Sequence, residues 1–218
     1  MRSVRYTLLT DGASDRALIS VVDWLFREHL SGSVLLGQGQ LAELGRVPNA
    51  PPLSDLPGRI RTAVDFYPCD VLFVHRDAEQ RDGYAARRAE IEAAIREANV
   101  GLACIPVVPV RMTEAWLLSD ESALRLAADR PGGTTPLAWP PAGRIERIDA
   151  KQTLFSLFRT AAGQTGRRRA RVTPESRRAR LASLIEDFAP LRCFESFRDL
   201  ETDVQNFIKE VDATDVPG

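Results

Sequence analysis

A short, unbroken apolar run, Val71–Val74 (VLFV), lies between Asp70 and His75 and limits the possible folds more than any other segment. A strand with one face in water alternates apolar and polar side chains, whereas an unbroken run of this length is typical of a strand that is buried on both faces. Strands of that kind occur almost only in parallel sheets that carry helices on both faces. The run therefore predicts an α/β fold.

Further strand and helix patterns alternate along the chain on both sides of this run. Val4–Thr10 and Leu102–Val108 are rich in apolar and β-forming residues and are predicted to be strands. Apolar residues recur at helical spacing from Leu18 to Leu30, and the alanine-rich, charged segment Ala85–Asn99 predicts another helix. This order predicts a mainly parallel, Rossmann-like sheet that has right-handed crossovers and is flanked by helices.

The composition changes near residue 130. Apolar residues make up 44% of the 218 residues, so the chain can bury a sizeable core. Pro131–Gly143 is rich in Pro, Gly and Thr and is predicted to be a linker or a long loop. Three later segments have helical patterns: Lys151–Ala162, Glu175–Asp187 and Phe197–Phe207. We predict an α/β domain at residues 1–130, and a linker and helical C-terminal extension packed on it at residues 131–218.

Charge and cysteine content exclude several classes of protein. The formal net charge is −1, which excludes a protein that coats nucleic acid through overall positive charge. Cys69, Cys104 and Cys193 form no Cys-x-x-Cys pair, so neither a disulfide framework nor a zinc finger is predicted. The sequence has neither a signal peptide nor a run of about 18 apolar residues, so we expect a cytoplasmic protein with no membrane partner.

Arginines are concentrated between residues 167 and 180, and acidic residues at the end of the chain. The arginine-rich segment includes Arg167–Arg169, Arg177, Arg178 and Arg180. Such a patch can follow a nucleic-acid backbone, which makes DNA or RNA one candidate partner. A solvated charged face is commoner, and we favour that interpretation. The acidic end can pair with these arginines within the chain or across a homodimer, so a second copy is another candidate partner.

Acidic residues follow three of the predicted strands. Asp11 and Asp15 follow the first strand, His75–Glu79 (HRDAE) follows the central apolar strand, and Glu114 follows the next one. In a parallel sheet, side chains at the carboxyl ends of neighbouring strands meet at one edge. Carboxylates that converge in this way repel one another, and one of them is forced to take a proton unless a cation lies between them.

These residues form a candidate site for a divalent cation. Alternation along an extended segment places His75, Asp77 and Glu79 on one side, where Asp11 of the neighbouring strand lies beside them. Mg²⁺ prefers oxygen ligands and keeps waters for substrate phosphate. We predict that Mg²⁺ or Mn²⁺ is bound by Asp11, His75, Asp77 and Glu79. Acidic residues also occur at strand ends as helix caps, and the spacing alone leaves that alternative open.

Two arginines, Arg76 and Arg111, flank the candidate site. The guanidinium group suits bidentate contact with phosphate oxygens, so both are predicted to bind phosphate. Neutralisation of the neighbouring acids is the alternative role, and the two roles are compatible.

Five segments, in their order along the chain, resemble the motifs of a known family. They are Asp11–Asp15 (DGASD), His75–Asp77 (HRD), Glu114–Asp120 (EAWLLSD), Asp149–Gln152 (DAKQ) and Leu191–Phe197 (LRCFESF). Together they look like Toprim-like proteins. More closely, they resemble a family of small bacterial proteins of unknown function that is allied to the Toprim nucleases of the overcoming-lysogenisation-defect (OLD) group. The resemblance covers most of the chain.

The resemblance implies a Toprim-like fold and divalent-metal-dependent phosphoryl transfer, with a nuclease that cleaves phosphodiester bonds as the expected activity. Asp11 corresponds to the Toprim glutamate after the first strand, Asp77 to the second aspartate of a D-x-D pair, and Glu114 to the glutamate of E-A-W. The resemblance makes these three residues catalytic. Glu79 stands in the place of a third acid.

Two positions depart from the family pattern. Asp11 is one methylene shorter than the usual glutamate, and His75 stands where the first aspartate of the D-x-D pair is expected. Imidazole binds Mn²⁺ but is a poor ligand for Mg²⁺. One alternative is therefore a catalytically silent Toprim-like binding module, of a kind that serves in phage defence. A receiver-like phosphoacceptor domain is less favoured, because the expected strand ends lack the Thr/Ser and Lys pattern of a receiver.

Overall fold

The computed structural model of the protein describes residues 2–30, 32, 34–78, 80–163 and 174–213. The strands are β1 Arg2–Val4, β2 Tyr6–Leu9, β3 Val34–Leu36, β4 Gln40–Leu41, β5 Val71–His75 and β6 Ala103–Val107. The α-helices are α1 Leu18–His29, α2 Leu56–Phe66, α3 Tyr84–Ala98, α4 Glu121–Ala127, α5 Ala150–Ala162, α6 Pro174–Leu184 and α7 Glu195–Ala213.

The strands pair in parallel. β1 pairs with β3, and a four-stranded sheet has the order β4-β2-β5-β6. Only Arg5 separates β1 from β2, and residues 37–39 separate β3 from β4. The β1–β3 pair therefore leads directly into the β2–β4 pair of the larger sheet. The prediction of an α/β fold with a mainly parallel sheet flanked by helices is confirmed.

The strands are buried on both faces because their alternate side chains enter two separate cores. Tyr6 and Phe73 belong to a large core that contains the apolar face of α1. Leu9 and Leu72 belong to a second core with α2 and α3. β2 is therefore followed by a helix on one face of the sheet, whereas its neighbours β4 and β5 are followed by helices on the other face. Crevices form at the carboxyl end of a strand where the chain direction changes in this way.

The helices that follow residue 131 pack on the same face as α1. Leu154 of α5, Leu181 of α6 and Phe197 of α7 lie in one core with Phe26 of α1. Trp116 meets Phe197 edge to face, with ring centroids 5.5 Å apart. The two parts of the chain thus share a core, and the boundary at residue 130 stays a prediction. In the described ranges, no helix is long and apolar enough to cross a bilayer.

Gly39, just before β4, allows a close approach to the buried ring of Tyr6. A Cβ atom at Gly39 would lie 2.1 Å from the Tyr6 hydroxyl oxygen, which donates a 2.7 Å hydrogen bond to Asp23 and cannot move freely. We expect Gly39→Ala to lower the free energy of unfolding by about 2 kcal/mol through overpacking. Urea unfolding measures this change. Gly101→Ala is the control, because a Cβ at Gly101 meets no atom within 4 Å; equal losses in the two variants would contradict the prediction.

Candidate functional site

The chain segments that follow β5 and β6 stay paired beyond the sheet. Ala78 exchanges backbone hydrogen bonds of 3.1 Å with the segment Pro109–Arg111. This pairing holds Asp77 beside Thr113, whose backbone N–H donates to the Asp77 carboxyl. The residues that follow two different strands are therefore fixed next to each other at the carboxyl edge of the sheet.

Asp11, Asp15, Asp77 and Glu114, here called the acidic cluster, meet at this edge. Asp15 reaches it from a 3₁₀ turn, Ala13–Ala17, between β2 and α1. Burial, followed by the negative charges of the other three residues, raises the pKa of Asp77 to about 8. The proximity that the sequence predicted for Asp11, Asp77 and Glu114 is thus present, and their catalytic roles stay predictions.

His75, at the end of β5, points one ring nitrogen at two carboxyl groups of the acidic cluster. Because the Val107 carbonyl oxygen can only accept, Nδ1 carries the hydrogen of their 3.0 Å hydrogen bond. Nε2 lies 3.7 Å from Asp15 Oδ2 and 3.7 Å from Asp77 Oδ1. Burial lowers the pKa of His75, which is only 2% exposed, so the ring is neutral and Nε2 has a free electron pair.

Three buried polar atoms at this centre have no hydrogen-bond partner among the described residues. They are Asp77 Oδ1, Thr113 Oγ1 and Arg178 Nε. A buried polar group without a partner is costly, and native proteins keep few of them. Other buried polar atoms of the described residues, such as Trp116 Nε1 and Ser196 Oγ, share this property, so it does not by itself mark the centre as a functional site.

Arginines neutralise two members of the acidic cluster. Arg59 donates to Asp11 Oδ1 at 2.7 Å, and Arg76 donates through Nε to Asp11 Oδ2 at 3.2 Å. Arg178 on α6 donates to Glu114 Oε1 in a pair that is largely buried on both sides. Arg76 therefore does neutralise a neighbouring acid, which was one of its two predicted roles.

Arg111, the second predicted phosphate contact, takes a different position. Its guanidinium group donates to the carbonyl oxygen of Ile148 at 3.3 Å. Its φ of 68° is in the left-handed region, which residues other than glycine seldom adopt and which is concentrated at functional sites. Phosphate binding by Arg76 and Arg111 stays a prediction.

The predicted set of metal ligands is not assembled as a whole. Glu79 lies outside the described residues, and both oxygens of Asp11 are held by arginines. The donors that remain are Asp77 Oδ1, which has no hydrogen-bond partner among the described residues, His75 Nε2 and Asp15 Oδ2. The ligand types of this set, two carboxyl oxygens and one imidazole nitrogen, suit a divalent cation that binds imidazole, such as Mn²⁺.

The spacing of these donors is wider than that of a ligand shell. Ligands of one octahedral ion lie about 3 Å apart at bond lengths of about 2.1 Å, whereas His75 Nε2 lies 3.7 Å from each carboxyl oxygen. Within the part of the chain that the structure describes, no three His, Cys, Asp or Glu side chains are placed so that they could hold one ion.

Two residues of this centre, Thr113 and Arg178, were not predicted as site residues from the sequence. Thr113 precedes a predicted catalytic residue, so its position was a usable signal. Arg178 was assigned to a solvated charged face; this was wrong for Arg177 and Arg178, whose side chains are only 16% and 11% exposed. Arg180 is half-exposed, as predicted. Arg167–Arg169 lie outside the described residues.

No family model matches the chain, and neither a curated protein nor a solved structure is significantly similar to it.

Proposed function

We propose that the acidic cluster is the centre of a Toprim-like, divalent-cation-dependent phosphoryl-transfer enzyme, a nuclease that acts on DNA or RNA. The observation that carries this proposal is the state of Asp77. Its pKa is raised to about 8, and its Oδ1, which has no hydrogen-bond partner in the described part of the chain, lies 3.7 Å from Nε2 of the neutral His75. Perturbed carboxyl groups that gather at strand ends are typical of active sites.

To hold the cation, Asp15, His75 and Asp77 would have to draw closer together than the 3.7 Å that separates His75 Nε2 from each carboxyl oxygen. Mn²⁺ suits this set better than Mg²⁺ because of the imidazole. When bound, the cation would supply Lewis-acid activation of the phosphodiester. The ion pairs of Asp11 with Arg59 and Arg76 hold that carboxylate in one orientation. In hydrolysis, a water oxygen forms the new bond to phosphorus, the ester P–O bond breaks, and the water proton passes to the leaving oxygen.

A nuclease assay tests this proposal. With Mn²⁺, the protein is expected to cleave labelled single- or double-stranded DNA or RNA, and a chelator is expected to stop the reaction. Asp77→Ala should lose the cleavage, because it removes a carboxyl group on which the site depends. Asp65→Ala, which removes an exposed carboxyl group on α2, is the matched control and should cleave like the wild type. If Asp77→Ala cleaves at the wild-type rate, the proposed centre is not the site of the reaction.

The second candidate is a catalytically silent Toprim-like module that binds a partner, as in phage defence. The arginines favour it, because Arg59, Arg76 and Arg178 already neutralise Asp11 and Glu114 without a cation. Calorimetry with Mg²⁺ and Mn²⁺ at millimolar concentration separates the two candidates. Absence of both metal binding and cleavage would support the silent module, and heat of Mn²⁺ binding that is lost in Asp77→Ala would support the enzyme.

A further inference from the structure

A cavity of about 310 Å³ opens between the carboxyl ends of β2 and β4, on the side of Asp11 away from β5. We call it the β2–β4 cavity. Its lining residues are Thr10, Asp11, Gly12, Leu41, Ala42, Glu43, Leu44, Gly45, Arg46 and Arg59. The chain leaves β2 toward one face of the sheet and leaves β4 toward the other. Ligands of open α/β sheets bind in the crevice between two neighbouring strands that diverge in this way.

The inner end of the β2–β4 cavity carries a fixed charge pair. Arg59 is only 4% exposed, and its guanidinium group donates to Asp11 Oδ1 and to the Thr10 carbonyl oxygen, each at 2.7 Å. Each oxygen of the Asp11 carboxylate accepts one hydrogen bond from an arginine, Arg59 or Arg76, and keeps one further electron pair that can accept another. The pair therefore presents a rigid polar end to a bound molecule.

The other lining residues of the β2–β4 cavity combine buried apolar side chains with a charged pair. Leu41, Ala42 and Leu44 are buried residues. Glu43 and the exposed Arg46 pair at 2.8 Å. A pocket of this kind suits a flat molecule whose faces are apolar and whose edge carries hydrogen-bond donors.

We infer that the β2–β4 cavity is a nucleoside subsite that takes a nucleobase bearing an amino group, such as adenine. This inference rests on the proposed function, because Asp11 is shared: it lines the cavity, and its Oδ2 bonds Arg76 next to His75. A nucleotide whose phosphate lies at the acidic cluster can place its base in the cavity. The arginines of the lining, Arg46 and Arg59, are already paired with Glu43 and Asp11. The electron pairs that remain on these two carboxylates accept only, so they favour an exocyclic amino group over the carbonyl edge of uracil. The volume is close to the lower limit of about 300 Å³ for ligand pockets and suits one nucleoside.

Calorimetry with adenosine 5′-monophosphate in a chelator tests this inference without any cleavage. The monophosphate and adenosine are expected to bind, and ribose 5-phosphate and uridine 5′-monophosphate at least tenfold more weakly. Gly45→Trp should weaken binding of the adenosine compound at least tenfold, since a Cβ at Gly45 meets no atom within 4 Å and the indole fills free space at the cavity. Gly101→Trp, which is equally free of contacts but far along the chain from the cavity, should bind like the wild type.

A second variant, Glu43→Ala, tests the inference even if Gly45→Trp does not fold. Glu43→Ala removes one acceptor and its ion pairs with two exposed arginines, Arg16 and Arg46, which contribute little to stability. The fold should therefore persist while the preference for adenosine over uridine monophosphate falls. Absence of adenosine monophosphate binding at millimolar concentration, or equal binding by Gly45→Trp, would overturn the inference. Binding without nuclease activity would count against the proposed function alone, and nuclease activity without such binding against the subsite alone.

Discussion

Arg178→Met is expected to lower the free energy of unfolding by about 3 kcal/mol. The substitution leaves Glu114, which is only 3% exposed, without the partner of its buried ion pair. Removing one member of such a pair costs more than the pair itself contributes, because the remaining charge stays desolvated. Chemical denaturation at neutral pH measures the loss.

A double variant and a neighbouring arginine complete this experiment. Arg178→Met combined with Glu114→Gln should recover about 2 kcal/mol of the loss, since no unpaired charge is then buried. Arg180→Met removes a half-exposed arginine of the same helix and should cost less than about 1 kcal/mol. A loss in Arg178→Met that is no larger than that in Arg180→Met would show that the buried pair does not form.

Asp77→Asn is expected to stabilise the protein at pH 8 and to have little effect at pH 4. The wild-type carboxyl has a pKa of about 8 in the folded protein and about 4 when unfolded. Below pH 4 both states are protonated and the group makes no difference. As the pH rises from 4 to 8, the unfolded chain releases the proton and the folded protein keeps it, so wild-type stability falls.

The amide that this substitution introduces has no such proton to release, and its oxygen can still accept the Thr113 N–H. We expect a gain on the order of 2 kcal/mol at pH 8, smaller than the pKa alone implies because 34% of the Asp77 side chain is exposed. Thermal unfolding should show a rise of roughly 4–8 °C. The matched control, Asp65→Asn on the exposed side of α2, should change neither value. A gain that is the same at pH 4 and pH 8 would contradict the protonated state of Asp77.

These two experiments test two carboxyl groups of the acidic cluster, Glu114 through its ion pair with Arg178 and Asp77 through its protonation. The acidic cluster contains a carboxyl group that must keep its proton at neutral pH, at a cost in stability, and a second carboxyl group that is tolerated only because an arginine reaches it. Residues that reduce stability in this way are common where a protein binds or transforms a ligand. Stabilisation by Asp77→Asn together with loss of cleavage in Asp77→Ala would be the combined signature of a functional carboxyl.

The strands β2, β5 and β6, the helices α1 and α3, and the positions of Asp11, Asp77 and Glu114 after those strands were predictable from the sequence, whereas β4 was not. An unbroken apolar run such as Val71–Val74 favours burial through its own side chains, which is a local property of the sequence. Parallel strands then place their carboxyl ends at the same edge of the sheet. The proximity of the three acids therefore followed from local patterns and one general property of sheets.

The charge state of the site could not be predicted in this way. Arg178 meets Glu114 across 64 positions of sequence, and Arg59 meets Asp11 across 48. These contacts depend on where α6 and α2 pack, and the proton on Asp77 depends on how much water that packing removes. Local patterns depend on neighbours along the chain, whereas ion pairing and desolvation depend on neighbours in space. Only the tertiary structure therefore decided which acids are neutralised by arginines and which candidate metal ligands are left without one.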